Sequence, residues 1–98
     1  TKKDLLQPAA SASYDPFDRQ DRSFITIEPS TNVTSTFNGI TAPTTNATFG
    51  TVLYLSNGST GSIILKNNAS TIQNNRIITN TGADVTITGR GGAIFIYD

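Results

Sequence analysis

The sequence predicts an all-β fold, a small antiparallel β-sandwich or jelly roll, and three observations support this. The 98 residues include 16 Thr, 9 Ser and 9 Asn; Thr is β-branched and favours strands, whereas Asn and Ser favour turns. Short apolar or alternating runs recur along the chain and are separated by Gly, Asn or Pro, which is typical of strands joined by tight turns. Residues 76–98 show this most clearly, since they contain three such runs in succession.

Residues 1–22 are predicted to form an extended N-terminal docking arm, followed by a β-module at residues 23–98. Pro8 and Pro16 favour extended conformations in the residues before them, so no long helix fits this segment. Its large apolar side chains are unusual in a tail that contacts only water, so we expect the arm to become ordered on a neighbouring subunit. A disordered tail is the alternative. The predicted partner-binding residues are Leu5, Leu6, Tyr14, Phe17, Arg19 and Arg22.

Seven strands are predicted within the β-module. They span residues 23–28, 32–37, 48–56, 61–66, 76–79, 84–88 and 93–97. Strands at such regular intervals, with turn residues between them, indicate a β-sandwich or jelly roll. A similarity between residues 60–65 and 81–87 indicates two equivalent strands, because a solenoid needs about three or more repeats to bury its faces.

The last predicted strand, residues 93–97, is apolar throughout. In residues 85–87 apolar and polar side chains alternate, so one face of that strand is expected to be buried and the other exposed. Residues 93–97 are instead expected to be covered on both faces, with the second cover supplied by another sheet or another copy of the chain. The predicted oligomer interface consists of Ile94, Phe95, Ile96 and Tyr97.

Charge and composition exclude several classes of partner and activity. Seven Lys and Arg balance seven Asp and Glu, so the chain lacks the basic excess by which proteins bind nucleic acid. No apolar run approaches the roughly 18–20 residues that span a bilayer, so membrane insertion is not expected. His and Cys are absent, which excludes most zinc sites and the usual catalytic triads. A small domain without disulfides often gains stability by oligomerising.

Three candidate sites have simpler structural explanations. Asp15, Asp18 and Asp21 lack the alternation and the Gly of a calcium-binding loop, so solvated charges or salt bridges to a partner are favoured. The Gly-rich residues 89–92 precede a strand rather than a helix, which favours a hairpin turn over a phosphate-binding loop. A glycosidase needs two carboxylates in a cleft, yet few acids follow Glu28. We therefore predict no catalytic residue, no cofactor, no metal ion and no enzymatic activity.

Several segments of the C-terminal part resemble β-modules of tailed-bacteriophage virion proteins. They are residues 37–40, 50–57, 64–67, 75–77, 81–84 and 93–98. Proteins of this kind include head-decoration and head-fibre proteins, tail fibres and receptor-binding proteins. The resemblance implies a homotrimer on the surface of the phage particle, attached to other virion proteins through its N-terminal segment. The predicted function is therefore structural: a decoration or fibre-base component that docks on the capsid or tail surface through its arm.

Two alternative functions belong to other classes. The first is a host-glycan or receptor-binding module of a phage fibre, in which Tyr54, Tyr97 and the many Asn and Thr side chains form a shallow sugar-binding face. The second is a subunit of a bacterial surface appendage, whose arm would join neighbouring subunits by strand exchange.

Overall fold

The computed structural model describes residues 3–6, 13–18, 23–29, 32–42, 52–58 and 60–97, which form a β fold without an α-helix in these ranges. The strands are β1 (Lys3–Leu6), β2 (Ser13–Tyr14), β3 (Phe24–Ile27), β4 (Thr34–Phe37), β5 (Val52–Asn57), β6 (Ser62–Leu65), β7 (Val85–Thr88) and β8 (Gly91–Ile96). One short 3-10 helix, Gln73–Asn75, lies between β6 and β7.

The strands form two mixed sheets, with the orders β1-β3-β5-β8 and β2-β4-β6-β7. The chain crosses to the other sheet after every strand except β6, whose successor β7 lies beside it. The successive passes β1/β2, β3/β4 and β5/β6 therefore stack in parallel, and we call each pass a coil. β7 and β8 then run antiparallel to the last coil.

The predicted antiparallel pairing holds for β7 and β8 and is wrong for the first three strands of each sheet. Strands that are consecutive in the chain lie in different sheets. Neighbours within a sheet are therefore connected through a strand of the opposite sheet, which provides the long connection that parallel pairing requires.

The two sheets share one hydrophobic core, because alternate residues of each strand point inward. Its buried members are Ile25, Ile27, Leu53 and Leu55 from one sheet, Phe37, Ile63, Leu65 and Ile87 from the other, and Phe17 and Ile77 from the connections. The rings of Phe17 and Phe37 stack within it, with centroids 4.4 Å apart and planes 12° apart.

Six of the seven predicted strands are confirmed, and the strand predicted at residues 76–79 is wrong. Arg76 and Ile77 form only isolated bridges, with Gly39 and Asn67 respectively. The segment cannot continue as a strand because the N–H of Thr79 donates to the side-chain carbonyl oxygen of Asn67, at 2.9 Å, instead of to a neighbouring strand.

The hairpin predicted at residues 89–92 is also wrong. The turn begins at Gly89, whose φ of +70° favours glycine, and carries the chain from β7 to β8 in the opposite sheet. The buried Asn57 ties this corner together, since its Nδ2 donates to the carbonyl oxygens of Gly61, at 2.9 Å, and Ile87, at 3.3 Å.

Two segments of the predicted arm form strands of the two sheets. β1 pairs with β3 from Lys3 opposite Phe24 to Leu6 opposite Ile27, and β2 pairs with β4. Phe17 is a core residue with 6% of its surface exposed. The described residues of the segment thus extend the body of the protein, and their docking role stays a prediction.

Two buried serines provide a matched test of this core. Ser35 is fully buried and its hydroxyl has no hydrogen-bond partner among the described residues, whereas the Oγ of Ser70 is bonded to Asp15 and Ile72. We expect Ser35→Ala to raise the free energy of unfolding by about 1 kcal/mol, because it removes an unsatisfied polar group. Ser70→Ala is expected to lower the free energy. Urea denaturation of both variants measures the difference, and an equal loss of stability in both would contradict this account of Ser35.

Candidate interaction surface

An apolar face covers the outer side of β3, β5 and β8. The strand register places Phe24, Tyr54 and Ile94 in one row, and Val52 and Ile96 in the next. Tyr54 is 48% exposed, Ile94 66% and Ile96 65%. Large apolar side chains grouped in this way on a surface indicate a place where another molecule binds.

The outer side of the other sheet has a different chemical character. Its register forms one row of Thr34, Ser62 and Thr88 and a second of Thr36, Ile64 and Thr86. Five of these six side chains carry hydroxyl groups, which water solvates readily. The two outer faces thus differ in polarity, and the apolar face is the better candidate for binding a protein.

The apolar face ends at β8, which is the last strand of its sheet. The N–H of Tyr54 donates to the carbonyl oxygen of Ser23, at 2.8 Å, so the backbone of Tyr54 faces β3. Successive residues of a strand point their backbone N–H and C=O groups to opposite sides. Those of Leu53 therefore point to β8, and those of its register partner Phe95 point to β5. Ile94 and Ile96, one position to either side of Phe95, turn their N–H and C=O groups toward the open edge.

The four residues predicted for the oligomer interface occupy two environments. The side chains of Ile94 and Ile96 are exposed on the outer face, whereas Phe95 and Tyr97 are half-buried. Within the described ranges, the second sheet lies on the inner side of β8 and no strand covers its outer side.

Three further residues of the apolar face, Phe24, Val52 and Tyr54, were not predicted to belong to an interface. The alternation of residues 23–28 does mark Phe24 as facing away from the isoleucines. Nothing in the sequence alone, however, indicates that β3, β5 and β8 are neighbours.

A shallow groove of about 540 Å³ lies between the row of Phe24, Tyr54 and Ile94 and the neighbouring pair of Ser56 and Gly92. Leu55 and Ala93 also line it. A Cβ atom at Gly92 would lie 2.8 Å from the carbonyl oxygen of Leu55, so the position cannot hold a side chain without movement of the backbone. Beside the groove, the Phe24 and Tyr54 rings stack with centroids 6.3 Å apart.

Of the six residues predicted for the arm, Tyr14 and Phe17 pack inside the body of the protein. The Tyr14 ring meets Phe17 edge-on at 5.2 Å and Phe37 at 5.7 Å. Leu5 and Leu6 belong to β1, of which only the backbone is described. Arg19 and Arg22 lie outside the described residues.

The carboxylate of Asp15 connects the first coil to the loop before the 3-10 helix. It accepts hydrogen bonds from the Ser70 hydroxyl at 2.5 Å, and from the Thr71 N–H and hydroxyl at 3.1 Å each. These hydrogen bonds hold the pKa of Asp15 below its usual value of 3.8; the bond from Ser70 has the largest effect and the bond from the Thr71 N–H the next largest. The group therefore contributes stability above about pH 3.8, which is lost as the pH falls through the lowered pKa.

Asp84 connects β6 to the loop before β7. Its carboxylate lies 2.9 Å from the Lys66 Nζ and accepts a hydrogen bond from the Asn67 N–H at 2.8 Å. Both contacts lower the pKa of Asp84, and the one with Lys66 has the larger effect. Asp15 and Asp84 thus serve as structural acceptors. Among the described residues, no three metal-ligating side chains are grouped closely enough to hold a metal ion.

No protein-family model matches this chain, and no curated protein or solved structure matches it either. In the part of the chain that the structure describes, no helix has the length and apolar character needed to cross a membrane.

Removing the Ser70 hydroxyl tests the cause of the low Asp15 pKa. In Ser70→Ala we expect the pKa of Asp15 to rise, because its carboxylate loses the principal hydrogen bond. The pKa of Asp84 serves as an internal control and is expected to stay unchanged, since its partners are Lys66 and Asn67. NMR titration of the carboxyl carbons measures both values. An unchanged Asp15 pKa in Ser70→Ala would contradict this assignment.

Proposed function

We propose that the chain is a structural virion protein, a decoration or fibre-base component that assembles with copies of itself. One observation supports this most directly: Ile94 and Ile96 are exposed on the last strand of their sheet, where they extend an apolar outer face. The resemblance of residues 37–98 to phage virion β-modules supplies the biological setting. The binding surface is built from apolar side chains and backbone groups, which suit assembly.

An exposed apolar edge strand favours assembly for a physical reason. Its unpaired N–H and C=O groups accept any extended segment, and natural proteins normally protect such edges with charges, Pro or covering loops. β8 has the sequence Gly-Gly-Ala-Ile-Phe-Ile, with neither charge nor Pro. A strand of this composition is suited to being covered by another chain.

Attachment to the virion is proposed to use the opposite end of the sheets. β1 and β2 are the first strands of their sheets, and β8 and β7 are the last. Residues 1–22 would then dock on the capsid or tail surface through Leu5, Leu6, Arg19 and Arg22. Self-assembly at β8 leaves that end free for attachment.

The finer architecture that we propose is a β-sandwich wound as a short solenoid. The alternation of the chain between the sheets and the single shared core support it. A jelly roll is less well supported, because a jelly roll is built from antiparallel strands and four strand pairs of this protein are parallel.

A host-glycan or receptor-binding module of a phage fibre is the second candidate. The specific observation in its favour is the exposed Tyr54 ring, stacked on Phe24 beside the groove. Sugars stack on such rings, and Ser56 supplies a hydroxyl to the groove.

The solution mass of the full chain distinguishes these two functions. We expect light scattering to give a multiple of the 10.4 kDa monomer mass at high protein concentration, and a glycan array to remain blank. The full chain is required because residues 3–6 and 13–14 belong to the sheets. A monomer at every concentration, together with a glycan signal lost in Tyr54→Ala, would favour the receptor-binding function instead.

A further inference from the structure

We infer that β8 pairs antiparallel with β8 of a second copy, with Ile94 opposite Ile94, to form a twofold dimer with one continuous eight-stranded sheet. The inference rests on the proposed self-assembly and specifies its partner, interface and stoichiometry, with a dimer in place of the homotrimer that the resemblance implies. It follows from the backbone directions along the open edge, the order of side-chain sizes in the strand and the absence of charge in residues 91–97.

The backbone directions limit the register of such a pair. The outward N–H and C=O groups belong to alternate residues: Gly92, Ile94 and Ile96. In an antiparallel pair, residues that exchange two hydrogen bonds stand directly opposite each other. Only the register centred on Ile94 pairs all three outward residues of one copy with all three of the other, giving three hydrogen-bonded pairs with two bonds each.

Side-chain sizes are complementary in this same register. Gly92 stands opposite Ile96 of the second copy, and Ala93 stands opposite Phe95. In both of these pairings a large side chain faces a small one. Gly92 has no side chain that would compete with the isoleucine opposite it. At the centre the two Ile94 side chains meet, each 66% exposed in the single chain.

Charge does not oppose this pairing. Residues 91–97 carry no charge, so pairing brings no like charges together.

The corresponding edge of the second sheet is more polar. β7, the last strand of the second sheet, presents Thr86 and Thr88 on its outer face. A pair formed through about seven residues of each copy covers less than the roughly 800 Å² per partner of a standard interface. We therefore expect a dimer that dissociates on dilution.

Opposite charges at position 94 test the self-pairing directly. Ile94→Lys and Ile94→Glu each place two like charges at the dyad, so each variant alone is expected to be a 10.4 kDa monomer. An equimolar mixture brings Lys opposite Glu and is expected to recover a species of twice that mass. Thr86→Lys, on the exposed edge of the other sheet, is the matched control and should dimerise as the wild type does. Circular dichroism of each variant verifies the fold.

The outcomes separate this inference from the proposed function. A wild type of twice the monomer mass, monomeric single variants and a dimeric mixture support the β8 pair. A wild-type dimer that persists in both Ile94 variants overturns the pair and leaves self-assembly intact. A trimer, or a mixture that remains monomeric, also overturns the twofold pairing at Ile94. A wild type that is monomeric at all concentrations overturns both proposals.

Discussion

Burial of apolar side chains between two sheets is the constraint on which the rest of this structure depends. Each four-stranded sheet turns an apolar inner side toward the other sheet, and each inner side is removed from water by contact with the other. The chain meets this requirement locally, since most strands are followed by a strand of the opposite sheet. Ile25 and Ile27 in β3 are thus followed closely by Phe37 in β4, and all three are fully buried. Each coil contributes one strand to each of the two sheets that enclose the core.

A stack of such coils can be extended indefinitely, because the edge strands of each coil can pair with those of a further coil. β7 and β8 stop it by turning antiparallel to β6 and β5. The outer face of the last strand is polar in the sheet that ends with β7 and apolar in the sheet that ends with β8. Thr86 and Thr88 face water beside β6, whereas Ile94 and Ile96 extend the row begun by Phe24 and Tyr54. The same two strands that end the fold therefore create its main interaction surface.

The sequence predicted the type and position of most elements but not their neighbours. Short apolar or alternating runs bounded by Gly, Asn or Pro located β3 to β8 because such runs are typical of strands joined by tight turns. The strand order depends on which sheet each connection reaches, and turn residues do not encode this. Gly89 marks a turn equally well for a hairpin and for a crossing between sheets. The apolar run of β8 predicted cover on both faces, yet Ile94 and Ile96 are exposed, and cover by a second copy stays a prediction. The contributions of Phe24 and Tyr54 required the register.

Amide hydrogen exchange along β8, measured as a function of protein concentration, tests the central claim most directly. The amides of Ala93 and Phe95 face β5 and are expected to be protected at all concentrations. Those of Ile94 and Ile96 face the open edge and are expected to exchange rapidly in dilute solution. As the concentration rises through the monomer–dimer transition, they should become protected. Rapid exchange of Ile94 and Ile96 in the assembled protein would contradict pairing through this edge.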